Sequence, residues 1–130
     1  MSPAEEVMRR MNPHGLTGED EDGAIVMIED HADPDGRMYR MEYRSSPDGK
    51  HTVAYCRYNP WGVKGRPNAG AGYATGHVAE DGFLCLGAKH SGRKIADSPY
   101  DVAYAIRRAR FWCTAFSVLK ETGTFPQPMT

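Results

Sequence analysis

Three cysteines, Cys56, Cys85 and Cys113, are the side chains of this chain best suited to covalent chemistry. The thiolate is the reactive form and needs a dedicated site, whereas most free cysteines only pack. Cys85 stands apart from the other two. It lies in Gly82-Phe83-Leu84-Cys85-Leu86, just after an Asp81-Gly82 turn signal, with His77 eight positions upstream. The polar stretch that follows, 87–97, carries Lys89, His90, Arg93 and Lys94, cations that would favour the thiolate if they folded over it. Cys85 is therefore the expected nucleophile. His77 is expected chiefly to shape the loop by bonding backbone, with direct general-base work as the lesser role. Cys56 falls within a strand-like run and reads as packing. Cys113 falls on the apolar stripe of a helix and reads the same way, with a redox or acyl-relay partnership with Cys85 as the sharper expectation. His77, Cys85, His90 and Cys113 have no finger or ribbon spacing and no Cys-x-x-Cys occurs, so a zinc site is not expected.

Composition narrows the classes of function. At 130 residues the chain is expected to form one domain, 1–130, with a real core. The formal net charge is −1, with 25% charged and 40% hydrophobic residues, so nothing points to nucleic acid as a partner. No apolar run is long enough to span a membrane and the start is polar and acidic, which makes the expected location cytoplasmic. An odd number of widely spaced cysteines without a secretion signal argues for free thiols.

The elements that must position Cys85 can be read from periodicity and punctuation. Ser2-Pro3 with Glu5 three positions after Ser2 is a helix start, and Val7, Met8 and Met11 give a short apolar stripe before Asn12-Pro13-His14-Gly15, so the spacing predicts a helix over 2–11. The acidic stretch 17–23 reads as a solvated loop. Strands are predicted over 24–29, 37–44 and 50–58, the last two from period-two alternation. The Pro-Asp-Gly turns at 34–36 and 47–49 join them as an antiparallel meander. Gly70 and Gly72 fit neither a Walker loop nor a dinucleotide fingerprint, and a short fourth strand is predicted around 72–75. Ser98-Pro99-Tyr100-Asp101 is read as the opening of a long helix, with Ser98 as cap and Asp101 completing the capping pattern. Val102, Ile106, Ala109, Cys113, Phe116 and Leu119 recur at helical spacing, and Gly123 is a stop.

This order of short helix, strand meander, Cys segment and long helix resembles the ubiquitin-conjugating enzyme fold, an α+β architecture. In that family a His-Pro-Asn motif precedes Gly-x-Ile-Cys-Leu; here the matching residues are His77 and Gly82-Phe83-Leu84-Cys85-Leu86. The resemblance is closer to the ubiquitin-conjugating-like proteins of bacterial antiphage operons, which carry a His, a Gly and then Leu-Cys-Leu at this shorter spacing. Those proteins also carry an aromatic-rich helix and a Thr-Gly-aromatic-Pro tail, here Arg110-Phe111-Trp112 and Thr122-Gly123-Thr124-Phe125-Pro126. The fold implied is an N-terminal helix, an antiparallel four-strand meander, a Cys-bearing loop and a long C-terminal helix. Val78 and Ala79 stand where the family has Pro and Asn, so the family's oxyanion-stabilising Asn is missing. Backbone N–H groups near Cys85 are the expected substitutes, with Tyr73, Asn68 and His90 as weaker candidates.

The resemblance implies that Cys85 holds an activated C-terminal carboxylate as a thioester and passes it to a target amine. The passenger would be a ubiquitin-like protein or a signalling nucleotidyltransferase, supplied by an activating enzyme; no cofactor belongs to this domain itself. It also implies that Asp97, Ser98 and Asp101 lie near the incoming amine, although for Asp101 helix capping is the stronger expectation. Two other classes fit the same residues. A non-catalytic adaptor of this fold would bind the same partner with Cys85 idle. A small cysteine hydrolase would use Cys85 and His77 to pass acyl groups to water.

Overall fold

The computed structural model describes residues 1–62, 73–87 and 92–126. Helix α1 spans Pro3–Met11, and Ser2 caps it, its Oγ accepting from the N–H of Glu5 at 3.1 Å. Four antiparallel strands follow in sequence order, β1 Leu16–Glu19, β2 Ile25–Ala32, β3 Met38–Ser45 and β4 Thr52–Tyr58. A helical turn, α2, covers Tyr73–Gly76, a 3-10 turn covers Ile95–Asp97, and the long helix α3 runs over Val102–Thr122. The architecture is α+β, with a sheet backed by the first and last helices.

Two of the predicted boundaries move. From Tyr73 on, the stretch expected to be the fourth strand forms α2, residue 72 lying outside the described residues; the fourth strand is Leu16–Glu19, overlapping the stretch 17–23 expected to be loop. Asp20 explains why β1 can turn into β2: its carboxylate accepts from the N–H groups of Asp22 and Ala24, each at 2.9 Å, and Gly23 takes the left-handed conformation (φ 85°). Helix α3 begins at Val102 rather than around Ser98. Asp101 is the cap, its Oδ1 accepting from Tyr104 N–H at 2.8 Å, while the Ser98 hydroxyl donates to the Thr52 carbonyl at 2.5 Å.

The sequence pattern explains the layers. Tyr39, Met41 and Tyr43 alternate inward on β3, and Thr52, Ala54 and Cys56 do so on β4. They meet Ala4 and Met8 of α1 and Val102, Ile106, Ala109, Cys113, Phe116 and Leu119 of α3. Trp112 is fully buried, with Tyr39 edge-on at 5.7 Å and Phe116 stacked at 4.8 Å. At the Pro-Asp-Gly turn after β3, Gly49 (φ 78°) accepts the Val102 N–H at 3.0 Å, while Pro47 accepts the Ala4 N–H at 3.1 Å, so one turn ties both helices to the sheet. No helix among the described residues is long and apolar enough to cross a membrane.

Candidate functional site

Beyond α2 the chain forms a tight hairpin. Val78 bridges Leu84, Ala79 donates to the Phe83 carbonyl at 2.9 Å, and the turn Ala79-Glu80-Asp81-Gly82 closes with Gly82 N–H on the Ala79 carbonyl. Gly82 needs its freedom here, at φ 94°. The second leg docks on the far edge of β4: Leu84 donates to Ala54 at 3.0 Å, Cys56 donates to Gly82 at 2.7 Å, and Tyr55 bridges Phe83. The hairpin thus covers a sheet edge that would otherwise expose its backbone groups.

Alternation then sets the direction of the sulfur. Leu84 and Leu86 point into the core, so Cys85 between them turns outward and is half-buried. Its Sγ–H lies 3.8 Å from the Gly87 carbonyl, and its N–H donates to the His77 carbonyl at 3.0 Å. The other two thiols differ. Cys56 and Cys113 are buried, and burial pushes the Cys56 thiol up to about 12 and the Cys113 thiol well above the ordinary cysteine value. Cys113 Sγ rests on Met41 Sδ at 3.7 Å, inside the core. The two buried thiols are poor nucleophiles at neutral pH, because desolvation disfavours the thiolate.

His77 is half-buried and takes a left-handed backbone conformation, φ 58°, the one positive φ at a non-glycine among the described residues. Its imidazole lies 4.5 Å from the Phe125 ring, and burial lowers its pKa. The residue before it is fixed by α3, since the buried Trp112 indole donates to the Gly76 carbonyl at 2.7 Å. His77 therefore shapes the loop through its backbone: its carbonyl anchors the amide of Cys85.

Of the backbone N–H groups near Cys85, those of Cys85 and Leu84 are already bonded, to the carbonyls of His77 and Ala54. Of the cations expected near the thiol, Lys89 lies outside the described residues. Arg93 pairs with Asp81 at 2.7 and 3.1 Å and sits over the Phe83 ring at 4.9 Å, on the turn of the hairpin. Tyr104 OH reaches the Leu86 carbonyl at 3.5 Å from the first turn of α3.

Asp97 is exposed at the end of the 3-10 turn, and Asp101 caps α3. His90 and Asn68 lie outside the described residues, and for Tyr73 only the backbone is described. Among the described residues no three His, Cys, Asp or Glu side chains converge on a common metal position. One set of partners escaped sequence reasoning entirely. Glu29, only 2% exposed, accepts from Arg110 at 2.7 and 3.2 Å, from Tyr43 OH at 2.5 Å and from Asn12 at 2.9 Å, which joins β2, β3, α1 and α3. Comparison with protein families, curated proteins and solved structures gave no match.

Proposed function

We propose that this protein is a ubiquitin-conjugating-like acyl carrier, with Cys85 as the thiol that takes an activated C-terminal carboxylate and transfers it to an amine. The observation that carries the reading is the contrast among the three cysteines. Cys85 alone is only half-buried, at the edge of the core on a hairpin held by backbone bonds, while Cys56 and Cys113 are sealed inside it. The hairpin is preceded by His77 and framed by a long aromatic-rich helix, as the resemblance to the bacterial antiphage conjugation proteins leads one to expect.

In the first step the Cys85 thiolate attacks the activated carbonyl carbon; a C–S bond forms and the activating group leaves with the electron pair of its bond. In the second, the target amine attacks the thioester carbonyl, the C–S bond breaks, and the thiolate departs as the nitrogen loses its proton. The passenger is a ubiquitin-like protein or a signalling nucleotidyltransferase delivered by an activating enzyme. The adaptor reading draws on one feature, the absence of a side-chain amide at Val78 and Ala79.

A peptide α-thioester of a small thiol tests the first step without any partner. Exchange onto the wild-type protein gives an adduct by intact mass that dithiothreitol removes, and Cys85→Ala gives none. An adduct that persists in Cys85→Ala would overturn the assignment. Full cellular function in the same variant would favour the adaptor.

A further inference from the structure

Phe125 lies beyond the last helix, yet it touches the site. Gly123 ends α3 in the left-handed conformation (φ 84°), and its N–H bonds the Leu119 carbonyl at 2.7 Å. Thr122 Oγ1 donates to the Val118 carbonyl at 2.7 Å and accepts from the Thr124 N–H at 3.2 Å. These bonds fold the chain back after the helix, and Phe125 packs half-buried against the core with its ring tilted 54° to the His77 imidazole. His77 in turn is held at φ 58°, a conformation an L residue adopts only when its surroundings over-determine it. Its carbonyl is the acceptor for the amide of Cys85.

We propose that Phe125 is a positioning residue for Cys85: its ring braces the His77 imidazole, which keeps His77 left-handed and so fixes the carbonyl that anchors the Cys85 amide. Phe125 is thereby coupled to the acyl-carrier site through His77. The inference rests on the reading of Cys85 as that carrier. Two neighbouring amides separate bracing from simple packing. Cys85 N–H is bonded to His77, the residue Phe125 touches, whereas Leu84 N–H is bonded to Ala54 of β4. A residue that merely filled space would loosen both amides together; a brace on His77 loosens one.

The experiment compares the full chain with Phe125→Leu, which keeps apolar volume but loses the ring, and Phe125→Tyr, which keeps the ring. Hydrogen exchange by NMR reads the two amides, and uptake from the peptide α-thioester reads the chemistry. In Phe125→Leu the Cys85 amide is expected to exchange about tenfold faster with Leu84 unchanged. Acyl uptake is expected to fall about fivefold, as displacement of a reacting group costs rate, and Phe125→Tyr restores both. Equal acceleration of both amides, or of neither, overturns the proposal, as does selective acceleration with uptake unchanged. If the wild-type protein takes no acyl group, the carrier reading fails and the exchange measurement alone judges the brace.

Discussion

His77 joins two roles that a well-chosen substitution separates. Its backbone is left-handed and anchors Cys85; its ring meets Phe125. Glycine adopts φ near 60° without steric cost, while a β-branched residue there is a true outlier. His77→Gly is expected to keep the hairpin, and His77→Val to be less stable than His77→Gly by about 1–2 kcal/mol, measured by chemical denaturation. The His-to-Cys spacing and the Asp-Gly turn were legible in the sequence, but the contact between His77 and Phe125 was not. No local pattern ties residue 77 to residue 125, because the contact exists only once α3 has carried the chain back across the sheet.

At the scale of elements, the start of α3 shows where pattern reasoning succeeds and where it slips. Two residues before the helix can accept from backbone N–H groups, Ser98 and Asp101. Ser98 donates to the Thr52 carbonyl and accepts from Tyr100 N–H at 3.3 Å, while the Tyr100 carbonyl takes the Thr52 N–H at 2.8 Å; this pairing with β4 keeps 98–100 out of the helix and leaves Asp101 as the cap. Asp101→Ala is expected to cost about 1 kcal/mol by thermal or chemical unfolding, the usual value of a lost cap. On the proposed carrier reading, acyl uptake by Cys85 should hold in this variant, because the carboxylate is engaged by Tyr104 N–H. The two Pro-Asp-Gly turns and the α3 stripe were readable because their geometry is local. Strand β1 was not: Leu16-Thr17-Gly18-Glu19 is four residues long, contains a glycine, and lies largely exposed at a sheet edge, so it offers no alternation to detect. Its identity as a strand comes from β2, which pairs with it from Ile25 to Ile28.

For the molecule as a whole, the carboxylate of Glu29 is the junction between helices and sheet. Burial alone would raise its pKa; Arg110, Tyr43 and Asn12 outweigh that and hold it below the ordinary 4.5. A depressed carboxylate contributes stability that is complete above about pH 4.5 and is lost as the pH falls through its lower folded value. Unfolding measured against pH is therefore expected to show an acid limb in that window. Glu29→Gln should flatten it and cost about 3 kcal/mol at neutral pH by leaving Arg110 without its counter-charge. Nothing in the chain announces a pair 81 positions apart. Such a pair is specified by packing, and only the fold reveals it.

The framing of Cys85 also has an order in time. The hairpin leaves the ribosome well before Trp112, whose indole fixes Gly76, and before Phe125, which meets His77. Chains emerge and begin to fold from the N-terminal side. A nascent chain halted between the hairpin and α3 therefore carries Cys85 before Trp112 has fixed Gly76 and before Phe125 has met His77.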